Sequence, residues 1–303
     1  MDVRDAGVPL IQLNSGASIP QNQVWQSGNS AGSSGHPRSN IEVASAVVRA
    51  ALQAGYRHID TAQMYGTEDG IGEALPDAAS LAMTFFITTK QRGNHSPDAV
   101  RPSLEQSLAK LHIDHVDLFL MHWPLPTLYD GDFVSTWQAM IDLRLAGLAT
   151  SIGVSNFQPA HLNRIIEATG VVPAVNQIEM HPRFANDVAR SNSMQHGIAP
   201  EAWAPLGKGR YLEDPVLVEI ASQLNRSVPQ VMLRWHIQRG TIVIPKTVHP
   251  DRMAENLAIF DFMLSPEAMS AIASLDAGEA GRIGPHPDTF DWVPSADTPN
   301  PSH

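Results

Sequence analysis

Along most of the chain, short strand-like runs carrying apolar residues alternate with longer stretches whose apolar positions recur at helical spacing. The runs cover residues 56–60, 85–89, 116–121, 151–154, 174–178, 199–203 and 241–244, and their length and composition predict strands. Between them the helical pattern covers 97–111, 133–146, 159–168, 187–196 and 229–238, and a helix over 41–54 precedes the first run and stops at Gly55. Strand and helix repeat about every 30 residues, the size of a βα unit. Seven strands are legible, and an eighth has to lie near 20–26. Eight βα units in one chain of this length predict an α/β fold of the (β/α)8 TIM-barrel type. Ahead of it, residues 10–19 alternate around Asn14-Ser15-Gly16 and predict an N-terminal β-hairpin with a positive φ at its turn.

A doubly wound sheet is the competing architecture. It would show GxGxxG after an early strand, and none follows any strand here. The nearest match, Gly70-Ile71-Gly72, lies in a helix-like stretch and reads as helix packing. The whole of 1–303 is expected to be one barrel domain, with an atypical first strand and Ser/Gly-rich loop at 20–40 and a mobile Pro/Ser/Asp-rich tail at 289–303.

Composition narrows the partners. The 303 residues are 43% hydrophobic and include no cysteine, which excludes disulfides, thiol catalysis and thiolate-bound metal. A net charge of -11 repels nucleic acid and anionic membrane, although a local basic pocket still accepts a small anionic cofactor. Thirteen histidines are mostly scattered singly without HExxH, so no metal is expected. The N-terminus is polar, no apolar run is long enough to span a membrane, and a cytoplasmic location is expected.

Ionisable residues stand where a barrel core calls for branched apolar ones. The second strand ends at Asp60, the third at Lys90, and the fourth runs into His122, while Tyr65 lies in the loop above Asp60. In a barrel these four meet on the C-terminal face, where barrel enzymes do chemistry. Each alone has a bland explanation as a cap, a solvated charge or a packing residue, but four on three neighbouring strand ends are hard to explain so. An ammonium beside a phenol favours the phenolate and makes the phenol a better acid, and a buried lysine keeps its charge only beside a carboxylate. An Asp-Lys-Tyr chain with His122 orienting a carbonyl would protonate an oxygen as it becomes an alkoxide, and a separate hydride source is required.

The ordered motifs Gly55-Tyr56-Arg57-His58-Ile59-Asp60-Thr61-Ala62 with Tyr65-Gly66, Ile87-Thr88-Thr89-Lys90, Met121-His122-Trp123-Pro124, Ser151-Ile152-Gly153-Val154-Ser155-Asn156-Phe157, Val175-Asn176-Gln177-Ile178-Glu179, Ala204-Pro205-Leu206-Gly207 and Ile244-Pro245-Lys246-Thr247 resemble those of the aldo-keto reductases. Among these the sequence is most similar to the 2,5-diketo-D-gluconic acid reductase and prostaglandin F synthase-like branch, including its short tail at 281–288. The resemblance implies a monomeric NADPH-dependent enzyme reducing a small-molecule aldehyde, ketone or diketo acid. It assigns Asp60, Tyr65, Lys90 and His122 to the catalytic tetrad, with Tyr65 as the acid. It places Ser155, Asn156 and Gln177 on the nicotinamide carboxamide, Trp203 on the nicotinamide ring, and Leu206 and Gly207 over the pyrophosphate. Lys246, Thr247, Arg252, Glu255 and Asn256 fall at the adenosine end, where two cations favour the 2′-phosphate of NADPH. Trp25 and Trp123 are expected in the substrate pocket.

Three positions depart from that pattern. The first strand lacks the usual glycines and reads Asn22-Gln23-Val24-Trp25-Gln26, which threatens closure of the barrel. Gln91 and Arg92 follow the lysine where a tryptophan is common, making the pocket more polar. Thr247 stands where serine is also common, a minor change that keeps the hydroxyl. The altered strand motivates an alternative, an NADPH-binding relative without catalysis or a degenerate one.

Overall fold

The computed structural model describes residues 7–25, 37–80, 85–93 and 96–293. Strands β1 (Leu10–Gln12) and β2 (Ser18–Pro20) form the expected antiparallel hairpin, with Ile11 opposite Ile19. Gly16 turns it at φ +92°. Eight parallel strands follow: β3 (Val24–Trp25), β4 (His58–Asp60), β5 (Phe86–Gln91), β6 (Val116–Met121), β7 (Ala149–Ser155), β8 (Val175–Glu179), β9 (Ala199–Trp203) and β10 (Ile242–Ile244). They lie side by side in sequence order.

The first strand closes the ring despite its composition. The Val243 amide donates to the Gln21 carbonyl at 3.0 Å, and the Gln23 amide to the Val243 carbonyl at 3.1 Å. On its other side β3 pairs with β4, Trp25 opposite Asp60. The expected defect is therefore corrected: side-chain amides anchor what glycines do not. Gln21 Nε2 donates to the Ile237 and Thr241 carbonyls, and Asn22 Nδ2 to the Asn256 carbonyl at 2.8 Å. The Trp25 side chain and residues 26–36 lie outside the described residues, so the expected pocket role of Trp25 does too. Residues 37–40, read as loop, begin a helix.

Around the barrel run α1 (Pro37–Ala54), α2 (Glu68–Ser80), α3 (Pro97–Leu111), α4 (Val134–Leu145), α5 (Pro159–Thr169), α6 (Asp187–Gln195), α7 (Pro215–Leu224), α8 (Val228–Gln238), α9 (Pro250–Leu257) and α10 (Pro266–Ala273). Helix α7 starts on a proline with the Asp214 carboxylate capping the Val216 amide, and α10 does the same with Ser265 and Ala268. The main core lies between strands and helices and includes Ile59, Leu104, Phe119, Trp137 and Ile152.

Inside the barrel the lower half is mostly apolar. Phe86, Leu118, Leu120, Val175 and Ile242 meet Leu13 and Ile19 of the hairpin, which covers the N-terminal mouth. Asn14 Nδ2 donates to the Pro173 carbonyl at 2.8 Å and Ser15 shares a hydrogen bond with Ser151, fixing that cover. His58 and Ser151 are buried polar residues near this end, while the charged strand residues Asp60, Lys90 and Glu201 lie farther toward the opposite mouth.

Helix α2 carries Gly70 and Gly72 at its two close contacts. A Cβ on Gly70 would lie 2.4 Å from the Ile41 carbonyl oxygen of α1, and one on Gly72 2.1 Å from the Lys110 carbonyl oxygen of α3. These glycines serve helix packing, not phosphate binding. Gly72→Ala is expected to destabilise the fold by about 1–3 kcal/mol in denaturant melts while dinucleotide affinity of the folded fraction stays unchanged. Lost affinity without lost stability would reverse that assignment.

Candidate active site

Asp60 ends β4 and Lys90 lies near the end of the adjacent β5, both with fully buried side chains. Lys90 Nζ donates to Asp60 Oδ1 at 2.5 Å and to the Thr61 carbonyl at 3.0 Å. A lysine so buried exists as an ammonium only if its surroundings oppose the loss of water. Burial does act to neutralise Lys90, but Asp60, Tyr65 and Glu201 together outweigh it and hold the group above its ordinary pKa. Burial pushes the Asp60 carboxyl up, against the opposing pull of Lys90 and of a hydrogen bond from Gln177.

Tyr65 sits on a single 3-10 turn, Gln63–Tyr65, ended by Gly66 at φ +66°. The turn is held by Gln63. Its amide donates to the Ser103 carbonyl at 2.7 Å and the Ser107 hydroxyl at 2.9 Å of α3, and its carbonyl accepts from the Arg92 amide at 2.9 Å. The segments after β4 and β5 are thus tied to each other. Only the fold brings Gln63 to these partners, so no local signal marks it. The Tyr65 ring lies 5.2 Å from Lys90 Nζ and packs edge-on to the His122 ring at 5.8 Å between centroids. All four expected residues therefore converge on one mouth of the barrel.

His122, just past β6, is buried, and burial followed by the Lys90 charge holds its pKa well below the ordinary histidine value. It is a neutral imidazole at neutral pH, and its Nδ1 has no hydrogen-bond partner among the described residues.

Beside this cluster stand the residues expected at a nicotinamide. Ser155 Oγ donates to the Gln177 carbonyl at 2.8 Å. Asn156 adopts the left-handed φ of +64°, its Nδ2 donating to the His122 carbonyl at 3.0 Å and its Oδ1 accepting the Trp203 indole N–H at 2.8 Å. The Trp203 ring is thus fixed at its polar edge. Gln177 is more committed than expected. Its Nε2 donates to Asp60 Oδ2 at 3.0 Å and also to Glu201 Oε1, so its Oε1 is the atom left for a carboxamide N–H.

The loop after β9 carries Leu206, Gly207 and Lys208. Ala204, Gly207, Lys208 and Gly209 all have positive φ, and a Cβ on Gly207 would lie 2.5 Å from the Tyr211 ring. Lys246 follows β10, and its ammonium is destabilised by burial and then by Lys208, so two cations converge in an acidic protein. That pairing fits a phosphate-bearing ligand such as NADPH. Thr247 is buried and accepts the His249 amide at 3.2 Å. Arg252, Glu255 and Asn256 lie on α9, the first exposed and the last buried with its carbonyl bound by Asn22.

The remaining wall comes from the C-terminal segment. Glu179 at the end of β8 accepts the Ile283 amide at 2.6 Å and the Gly284 amide at 2.8 Å, a docking role that sequence alone did not reveal. A Cβ on Gly284 would lie 2.4 Å from the Trp203 ring. Farther on, Phe290 stacks on Trp123 at 4.2 Å between centroids, so the segment read as tail from 289 begins against the rim; residues 294–303 lie outside the described residues.

Among the described residues no helix is long and apolar enough to cross a membrane. The family model for the aldo/keto reductase family matches residues 25–277. An aldo-keto reductase of Mycolicibacterium smegmatis is 46% identical over 288 residues, covering 94% of this chain and 99% of that protein. Methylglyoxal reductase DkgA of Salmonella typhimurium is 41% identical over 289 residues, with 94% and 99% covered. The crystal structure of an aspartate-to-alanine mutant of Gox0644 in complex with NADPH superposes with a TM-score of 0.85 at 39% identity, covering 94% of this chain and all of the other. The chain therefore belongs to the aldo/keto reductase family of NADPH-dependent oxidoreductases acting on carbonyl compounds.

Proposed function

We propose that this protein reduces a small aldehyde or ketone to the alcohol, with Tyr65 as the proton donor. The observation that carries the reading is the approach of the Lys90 ammonium to the Tyr65 ring beside a neutral His122. NADPH, when bound, supplies the hydride that adds to the carbonyl carbon. His122 orients the carbonyl oxygen through a hydrogen bond and, being neutral, does not compete with Tyr65 as the acid. As negative charge grows on that oxygen, the Tyr65 O–H proton passes to it and the alcohol forms. Lys90 stabilises the phenolate left behind, and Asp60 keeps Lys90 charged.

Ser155, Asn156 and Gln177 would hold the carboxamide, Trp203 the ring face, Leu206, Gly207 and Lys208 the pyrophosphate, and Lys246, Thr247, Arg252, Glu255 and Asn256 the adenosine end. Trp123 with Phe290 would wall the substrate pocket. The substrate class proposed is a small dicarbonyl such as methylglyoxal or a diketo acid, in line with the relative named methylglyoxal reductase DkgA. We take the protein to be a single-domain cytoplasmic monomer.

Tyr65→Phe should lower kcat by about 10²–10⁴-fold while NADPH still quenches tryptophan fluorescence at the same concentration. A variant that turns over methylglyoxal at the wild-type rate would refute the acid assignment. Lys246→Ala should weaken NADPH binding by about 10–100-fold, the loss of one charge-assisted hydrogen bond, and leave NADH binding nearly unchanged; equal losses for both would place the 2′-phosphate elsewhere. Because His122 is held neutral, kcat should show no limb from it between about pH 6 and 8, the range in which an ordinary histidine titrates. A limb there that disappears in His122→Gln would contradict the neutral imidazole.

A further inference from the structure

Glu201 is a carboxyl group in the barrel interior that the proposed reaction does not use. It lies on β9, in register with Gln177 of β8 and Ile242 of β10, and its side chain has no exposure. Its Oε1 accepts from Gln177 Nε2, whose other hydrogen goes to Asp60 Oδ2. One amide nitrogen thus bridges two buried carboxyls, and only one of them has a cation at contact distance. Lys90 Nζ is bonded to Asp60, and Glu201 Oε2 has no hydrogen-bond partner among the described residues. The remaining polar neighbour is Gln23, close enough to favour the charged form of Glu201 but with neither amide atom in a hydrogen bond. The charged and titratable groups bearing on Glu201 are therefore Asp60 from β4 and Lys90 from β5, with Tyr65 reaching it through Lys90.

An anion with one oxygen unpaired and a second carboxylate across one amide is costlier there than a neutral acid. Burial first, and then the Asp60 charge, push the Glu201 pKa up to about 8. At neutral pH the interior then holds one anion, Asp60, against one cation, Lys90. Above that value a second anion appears beside the pair. It favours the Lys90 ammonium and disfavours the Tyr65 phenolate, which has to form in every reduction and to be present for every oxidation.

We infer that Glu201 is a positioning residue which, through Gln177, sets the charge around the Asp60–Lys90 pair and thereby the acidity of Tyr65. This rests on the proposed role of Tyr65. The test follows the reverse reaction, oxidation of the alcohol product with NADP+, because its rate rises with pH as the phenolate forms. In Glu201→Gln, which keeps the shape and the hydrogen bond to Gln177 but never ionises, the inflection in kcat should move to lower pH by about half to one unit. Between about pH 8, where wild-type Glu201 ionises, and the inflection, that makes the variant about 3–10-fold faster than wild type, and the two converge at lower pH. Glu201→Met, of similar volume and uncharged, should move it the same way and serves if the glutamine variant does not fold. In the wild-type holoenzyme, infrared difference spectra should show one buried protonated carboxyl lost between about pH 7 and 9. An inflection that stays in place in the folded variant, or a carboxyl band that never changes over that range, overturns the inference. Tyr65→Phe distinguishes the two readings: if it abolishes oxidation while Glu201→Gln leaves the inflection alone, only the role of Glu201 fails, and if it retains full activity the role of Tyr65 fails first.

Discussion

The contact between Lys90 and Asp60 governs the organisation of this barrel mouth. Lys90 is among the largest fully buried side chains, and a buried ammonium without a partner is not tolerated. Removing one member of such a pair costs about 3–5 kcal/mol because the other is left uncompensated. The pair in turn requires its strands in a fixed register: Asp60 opposite Thr88 on one side and Trp25 on the other, Lys90 opposite Leu120. A slip of one residue would turn the ammonium into the outer apolar layer. The ion pair thus links sequence register, barrel closure and the charge near Tyr65.

The division of the interior follows from the same constraint. Polar groups inside a barrel need partners, and partners are available only where strand ends, loops and a ligand meet. The lower layers are therefore filled mainly with branched and aromatic side chains and sealed by the hairpin, with His58 and Ser151 bonded to Thr88 and Ser15 respectively, while Asp60, Lys90, Gln177 and Glu201 gather farther toward the other end. Gly153 shows how tight the filling is, since a Cβ there would lie 2.7 Å from both the Leu120 side chain and the Val175 carbonyl.

Much of this was legible in the sequence because the signals were local. Apolar runs marked seven strands, and ionisable residues at their ends marked Asp60, Lys90 and His122. The first strand was misjudged because its stability does not come from its own residues' propensities. Gln21 and Asn22 act through hydrogen bonds to backbone more than 200 residues away in the chain, which no local pattern encodes. Helices α7, α9 and α10 were passed over although each begins with a proline, two of them after a capping Asp214 or Ser265, a signal that apolar spacing does not weigh. Gln63, Glu179 and Glu201 escaped for a further reason: a polar residue in a loop or strand acquires meaning only from what the fold sets against it.

Backbone conformation points to the same mouth independently of side-chain chemistry. Among the described residues, the positive-φ positions that are not glycine include Leu125, Tyr129 and Asp130 after β6, Asn156 after β7, and Ala204 and Lys208 after β9. All six follow C-terminal strand ends. Left-handed backbone at a residue with a Cβ costs about 1–3 kcal/mol and persists only where surrounding contacts over-determine it. At Asn156 the contacts are visible: both ends of its amide are bound, one to the His122 carbonyl and one to the Trp203 indole. That left-handed asparagine couples His122, of the proposed proton-transfer cluster, to Trp203, on the proposed cofactor side. On that proposal, the spacing between the two halves of the reaction is set by a bridge of protein hydrogen bonds.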